Sequence, residues 1–147
     1  MNIMIVNLEP TTLAFASDRE ESLAVAKLDA FLTGTGIVPA HRYQNELSLK
    51  KDGKRVSLFI KYASVPAGTK KAKDVNVADL PGGPALSFRL PESAYIPLMD
   101  GEFRQELEEF LKANGLWWDL RQMMALAEAR TENGAVVYDI LFPVKRK

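Results

Sequence analysis

An internal repeat spans most of this chain, and it constrains the possible fold more than any other feature of the sequence. The segment Leu28–Gly36 (LDAFLTGTG) returns in the second half of the chain as Leu107–Gly115 (LEEFLKANG). Both segments carry leucine, an acidic residue, phenylalanine and leucine at the same spacing, and both end in glycine. We therefore expect two similar halves, each built around one of these segments.

Flanking segments extend the repeat in the same order. Val56–Tyr62 (VSLFIKY) resembles Val136–Phe142 (VVYDILF), and Leu13–Phe15 resembles Leu86–Phe88. The distance from this last segment to the helix is longer in the second half, and the additional residues fall in Pro91–Pro97. The order strand, turn, strand, helix, strand, turn, strand occurs twice.

The two repeated segments have the apolar spacing of helices with one buried face. Apolar residues recur at i, i+4, i+7 and i+8. They are Ala24, Leu28, Phe31 and Leu32 in the first half and Phe103, Leu107, Phe110 and Leu111 in the second. Ser17, followed by Glu20, predicts a capping box at the start of the first helix. The segment Pro91–Gly101 is predicted to be a loop ahead of the second helix.

Alternating apolar and polar residues around turn sequences predict antiparallel hairpins on both sides of the helices. The predicted fold is α+β, with a tandem βαββ-type repeat in a single domain over residues 1–147. Repeat 1 covers about residues 1–66 and repeat 2 about residues 73–147, and the basic stretch Pro66–Lys73 links them. Two pseudo-two-fold-related halves, with an antiparallel sheet and two main helices, would enclose a central crevice suited to a ligand.

Charge and composition exclude several classes of function. Nineteen basic and nineteen acidic residues leave no net charge, so direct nucleic-acid binding is not expected. The chain has no cysteine and a single histidine, His41, so neither a thiolate site nor a histidine–cysteine metal site is expected. No signal peptide or membrane-spanning stretch is evident. The sequence therefore predicts a cytoplasmic protein without metal, cofactor or membrane partner.

Three passages resemble the GyrI-like small-molecule-binding domain. Val75–Phe88 is similar to the family's strand, Pro-Gly-Gly turn and second strand; Phe103–Gly115 is similar to its second helix; Tyr138–Val144 is similar to its closing strand. The resemblance covers essentially the whole chain. It implies the fold of the effector-binding domains of multidrug-responsive regulators and of free-standing gyrase-inhibitory proteins.

The resemblance also implies a ligand-binding glutamate on the strand after the second helix, predicted at about Met123–Arg130. Its counterpart here is Glu128, with Gln122 as the alternative if the strand register differs. A carboxylate ringed by aromatic side chains suits a lipophilic cation. The family's tyrosine two residues later is replaced by Arg130, which could neutralise Glu128. An ordinary solvated or ion-paired role for Glu128 is equally open.

Aromatic residues supply the remaining candidate ligand-binding side chains, and each is also suited to core packing. They are Trp117, Trp118, Tyr43, Tyr62 and Tyr95. Because neighbouring residues on an extended segment face opposite ways, one of the two tryptophans is expected in the core and the other outside it. No catalytic residue is predicted.

Three functions follow from these observations. The first is a stand-alone sensor or sequestering protein that binds a small lipophilic molecule, with or without positive charge, between the two halves. The second is a protein-interaction module, such as an inhibitor of DNA gyrase. The third is a small-molecule hydrolase that uses a pocket glutamate, and it lacks an identifiable acid–base partner.

Overall fold

The computed structural model describes residues 1–122 and 125–147, apart from the side chains of Leu49 and Lys50. Within this part of the chain there are nine strands and three helices, in an α+β arrangement with antiparallel pairing, as the sequence predicts. The strands are β1 (Met4–Leu8), β2 (Thr11–Asp18), β3 (Arg42–Lys51), β4 (Lys54–Val65), β5 (Asn76–Leu80), β6 (Gly83–Pro91), β7 (Leu116–Trp118), β8 (Leu126–Glu132) and β9 (Ala135–Arg146). The helices are α1 (Glu21–Thr35), α2 (Glu92–Met99) and α3 (Arg104–Ala113). Met123, where the last predicted hairpin was expected to begin, lies outside the described residues.

The chain divides into two compact units. The central unit is Pro10–Pro81, and the terminal unit combines Met1–Glu9 with Gly82–Lys147. In the central unit the strands pair in the order β3, β4, β2, β5. In the terminal unit the order is β1, β6, β9, β8, and β7 also pairs with β9. Each unit thus contains one set of antiparallel strands with its own helices. In the central unit α1 follows β2, and in the terminal unit α2 and α3 follow β6.

Strand register shows that the two units repeat the same internal plan. In the terminal unit β1 pairs with β6, and Met4 lies opposite Ser87. In the central unit β5 pairs with β2 in the same way, and Asn76 lies opposite Phe15. β1 and β5 are therefore equivalent strands, so the first strand of each sequence repeat belongs to the unit formed by the other repeat. The single-domain organisation stays a prediction.

The sequence alignment of the closing strands matches residues that lie on opposite faces of their strands. The alignment matches Tyr62 with Phe142, yet Phe142 lies in the core cluster beside α3. In the central unit Ala63, and not Tyr62, belongs to the cluster beside α1. Ala63 therefore faces α1 as Phe142 faces α3, whereas Tyr62 points the other way, because a shift of one residue turns every side chain to the other face.

The alignment of β2 with β6, the strands that precede the helices, needs the same correction. The sequence alignment matches Leu13 with Leu86, whereas it is Ala14 that lies in the cluster beside α1, as Leu86 lies in the cluster beside α3. The sequence does not reveal either shift, because apolar residues on both faces of these strands are buried. Leu13, at 0% exposure, is buried on the face away from α1.

The helices bury their leucines as predicted. In α1 the buried residues are Ala24, Leu28 and Leu32, and in α3 they are Leu107 and Leu111. The match of Leu28 with Leu107 and of Leu32 with Leu111 is confirmed by their equivalent burial. Phe31 and Phe110 are only half-buried, and each packs at the margin of its own cluster.

Two local predictions are wrong. Pro91–Gly101 is not a loop, because α2 occupies most of it, with Pro97 inside the helix. Burial of Tyr95 and Leu98 in the core cluster offsets the hydrogen bond that Pro97 cannot donate. Ser17 does not cap α1, since it lies in β2. The carboxylate of Asp18 instead accepts hydrogen bonds from the Glu20 N–H and the Lys27 amine, both at 3.0 Å.

Candidate functional site

Glu128 lies on the side of the terminal unit's sheet that faces away from its helices. Its neighbour Ala127 belongs to the core cluster with Leu107 and Leu111. Because side chains alternate along a strand, Glu128 points to the opposite face. It is half-buried there and pairs in register with Asp139 on β9. The strand register therefore places two carboxylates directly opposite each other.

Two arginines bind Asp139, and one of them also binds Glu132. Arg89 Nε donates to Asp139 Oδ1 at 2.7 Å, and Arg89 Nη1 donates to Glu132 Oε1 at 2.7 Å. Arg130 forms an ion pair with Asp139. We call Arg89, Glu128, Arg130, Glu132 and Asp139 the charged cluster; its three carboxylates and two guanidinium groups leave one excess negative charge. The hydrogen bond to Asp139 also raises the pKa of Arg89, so this guanidinium group stays charged.

Tyr95 lies on the other side of the same sheet. It is 5% exposed in the core cluster and stacks on Tyr138, with ring centroids 4.2 Å apart. Tyr138 and Asp139 are neighbours on β9, so their side chains point to opposite faces. The structure therefore does not bring Tyr95 together with Glu128.

The two tryptophans face opposite ways, as their adjacency predicts. Trp118 packs on the core cluster, with its ring centroid 5.2 Å from that of Phe142. Trp117 is 38% exposed, with the Lys147 amine 5.4 Å from its ring centroid. Trp117 pairs with Lys145, whereas Glu128 pairs with a residue six positions earlier on β9. The two side chains are thus roughly 20 Å apart along the strand, too far to share one small ligand.

Tyr43 and Tyr62 belong to the central unit and are cross-strand neighbours on β3 and β4. Tyr62 is 1% exposed, and its ring centroid lies 5.6 Å from that of Phe15. Burial raises the pKa of Tyr62 to about 12, against a smaller lowering from its hydrogen bond with Asn45. Tyr62 therefore keeps its proton at neutral pH. Tyr43 is half-buried and stacks on His41, with ring centroids 5.9 Å apart.

A buried polar turn after β7 is the main feature that the sequence did not point to. Asp119, whose side chain is 2% exposed, accepts two hydrogen bonds from the Arg121 guanidinium at 2.9 Å. The amide of Gln122 donates to Asp119 at 2.8 Å, while its Oε1 atom has no partner among the described residues. An unpaired buried acceptor is costly. Gln122, the predicted alternative to Glu128, precedes β8. Its Oε1 atom is an acceptor that has no partner among the described residues.

Charge spacing was the available signal for the missed residues. Asp119 and Arg121 are close neighbours in the chain, which suits a local ion pair. Arg89 and Asp139 each interrupt an apolar strand, in LSFRL and VYDIL. An isolated charge in such a strand indicates a face that is not core. Their mutual contact, however, depends on the pairing of β6 with β9.

Asp119→Asn should lower the free energy of unfolding by about 1.5–3 kcal/mol at pH 7, because the variant lacks the charged acceptor that Arg121 and Gln122 share. Those hydrogen bonds, chiefly from Arg121, hold the pKa of Asp119 well below its ordinary value of 3.8. A depressed native pKa stabilises the fold fully above the unfolded pKa, and the gain is lost as the pH falls toward the native pKa. Urea denaturation at pH 7 and pH 3 should show a smaller deficit for the variant at pH 3. A deficit that does not change with pH would contradict this role.

The fold is the GyrI-like fold, as the sequence resemblance implied. The chain is similar to a hydrolase from Listeria innocua, with a TM-score of 0.64 and 12% identity over 97% of this chain and 91% of that chain. It is also similar to EcmrR in an EcmrR–DNA complex, with a TM-score of 0.65 and 10% identity over 99% of this chain and 58% of that chain. The EcmrR C-terminal domain matches with a TM-score of 0.58 and 12% identity, over 99% of this chain and 98% of that domain. No protein-family model and no curated protein matches the sequence.

The described residues show neither a metal centre nor a membrane span. In residues 1–122 and 125–147, no three histidine, cysteine, aspartate or glutamate side chains are grouped so that they could hold a metal ion. None of the helices found in those ranges is both long enough and apolar enough to cross a membrane.

Proposed function

We propose that this protein binds a small lipophilic cation, with Glu128 and the charged cluster as its receptor. The observation that carries the proposal is the grouping of Glu128 with Glu132 and Asp139 on the helix-free face of the terminal unit's sheet. The likeness in fold to the EcmrR C-terminal domain, an effector-binding domain, supports a small-molecule-binding role in general. The nature of the ligand is argued from the cluster alone.

Burial and charge balance favour a cation over an anion at this face. Asp139 is bound by both arginines, so its charge is largely compensated within the cluster. Glu128 is half-buried, and partial burial strengthens its attraction for an added positive charge relative to a solvated carboxylate. Arg89, Glu132 and Arg130 are about half-exposed, so their ion pairs are worth about 0–1 kcal/mol each and can rearrange around a ligand.

Glu128→Gln should weaken cation binding about tenfold, because it keeps the shape of the side chain and removes its charge. Calorimetric titration with tetraphenylphosphonium and with uncharged triphenylphosphine oxide checks this, and affinity for the uncharged compound should not change. Glu109→Gln, which removes an equal charge from an exposed site on α3, is the matched control and should bind both compounds as the parent does.

Equal affinity of the unmodified protein for the two compounds would refute the cation receptor. In that outcome the protein-interaction alternative, such as gyrase inhibition, would gain weight. Calorimetry is preferred to tryptophan fluorescence, because Trp117 lies far from Glu128 and Trp118 is on the opposite face of the sheet.

A second candidate function is hydrolysis of a small molecule, favoured by the likeness to the Listeria innocua hydrolase. Glu128 would then act as a general base on water. The neighbouring guanidinium groups of Arg89 and Arg130 would stabilise negative charge on the substrate. Turnover of a panel of activated esters, abolished by Glu128→Gln and retained by Glu109→Gln, would support this function; no turnover by the parent protein would eliminate it for those substrates.

A further inference from the structure

The central unit has an open cavity of about 460 Å³ beside the C-terminal end of α1. Its apolar wall consists of Leu32, Ile37, Val38 and Pro39, and Asp29 and Arg42 form its polar side. This volume falls within the range of small-molecule sites. All of these residues belong to the central unit, whereas Glu128 and its charged cluster belong to the terminal unit.

The internal repeat has a different residue in the terminal unit at the position of Pro39. Gly36 and Gly115 follow α1 and α3 at equivalent positions of the repeat, and both have a left-handed conformation, with φ angles of 72° and 66°. Counting onward from these glycines, Pro39 corresponds to Trp118. The indole of Trp118 packs on the terminal unit's core beside Phe142. Pro39 leaves this position of the repeat without an aromatic side chain, and the apolar residues beside it can pack against the ring of a ligand.

The polar side of the cavity offers an anchor for a carboxylate. Arg42 Nη1 donates to Asp29 Oδ1 at 2.7 Å, and the two side chains are 52% and 49% exposed. A guanidinium group carries five N–H donors in a planar fork. This ion pair uses one of them, and the fork can also bind an incoming carboxylate in a bidentate manner.

We propose that this cavity binds an aromatic carboxylate. The ring packs on Leu32, Ile37 and Pro39, and the carboxylate binds Arg42. Val38 is 92% exposed at the cavity, where it can cover the outer face of the ring. This site prefers an anion, whereas the Glu128 face prefers a cation, so the two sites are chemically distinct.

Titrations with indole-3-acetate and uncharged indole-3-acetamide, followed by amide chemical shifts, test the proposal. The acetate should bind about two- to fivefold more tightly than the amide, the modest gain of a partly exposed ion contact. Both compounds should shift the resonances of Ile37 and Val38. Arg42→Gln should abolish the preference, whereas Arg19→Gln, which removes an equal charge elsewhere in the central unit, should preserve it.

Two further variants separate charge from shape. Asp29→Asn removes the carboxylate that competes for Arg42 and should strengthen acetate binding. Pro39→Trp, which introduces the residue found at the corresponding position of the terminal unit, should fill the cavity and weaken the binding of both compounds. Equal affinity for acetate and amide, weaker acetate binding in Asp29→Asn, or unchanged affinity in Pro39→Trp would each overturn the proposal. Glu128→Gln should have no effect on either compound, so this test is independent of the proposed cation site.

Discussion

Leu111→Ala should lower the free energy of unfolding by about 2–5 kcal/mol, because it leaves a cavity in the terminal unit's core. Leu111 is fully buried, at 0% exposure, among residues of α3 and the adjoining strands. Urea denaturation followed by circular dichroism measures the change. A small domain has only about 5–15 kcal/mol of stability, so the midpoint should move by a large fraction of its value.

The repeat provides two comparisons for this result. Leu32 is the equivalent residue of α1 and is 4% exposed, so Leu32→Ala should cost a similar amount. Phe110, next to Leu111, is half-buried, and Phe110→Ala should cost less than the roughly 3–5 kcal/mol typical of a fully buried aromatic residue. If Phe110→Ala proves more damaging than Leu111→Ala, the assignment of the buried face of α3 is wrong.

Tyr95→Ala should be the other strongly destabilising substitution, with an expected loss of about 3–5 kcal/mol. Tyr95 is 5% exposed and stacks on Tyr138 within the core cluster. Tyr95→Phe keeps the stacked ring and should lose at most about 0.5–1.5 kcal/mol, the net value of a hydrogen bond. Thermal and urea denaturation of the two variants separate the contribution of the ring from that of the hydroxyl group.

Measuring ligand binding by Tyr95→Phe shows whether Tyr95 only packs in the core or also contacts the ligand. Tyr95 and Glu128 lie on opposite faces of one sheet, so the variant should bind tetraphenylphosphonium as tightly as the parent protein. Loss of cation affinity in a variant that remains fully folded would contradict the placement of Tyr95, and would return it to the ligand-binding residues that the sequence suggested.

Within each unit, the tertiary structure separates residues that the sequence grouped as one candidate site. Glu128, Tyr95 and Trp117 all belong to the terminal unit, yet Tyr95 lies on the opposite face and Trp117 lies roughly 20 Å away along β9. Glu128 instead lies opposite Asp139 of the same hairpin, and Asp139 binds Arg89 of β6, which is distant in the chain. Their ligand-binding roles stay predictions until the titrations above are made.

Features that arise within one segment, or from its repetition, could be predicted from the sequence alone. The spacing of Leu28 with Leu32, and of Leu107 with Leu111, is a helical periodicity that is evident in the sequence. The alternation of Trp117 and Trp118 similarly follows from extended backbone geometry. The α+β class, the tandem repeat and the alignment of its two helices were accordingly correct.

The alignment of separate segments depends instead on contacts between remote parts of the chain. The closing strands match best in sequence with Tyr62 on Phe142, yet pairing with neighbouring strands turns Ala63, and not Tyr62, toward the core beside α1 and thereby decides the face of every residue. Likewise, Pro97 disfavours helical structure in its own segment. The helix α2 nevertheless forms, because Tyr95 and Leu98 are buried in the core cluster with residues of distant strands. The physical reason is the same in each case: local periodicity encodes which side chains share a face, whereas strand pairing and core packing between remote segments decide where that face points.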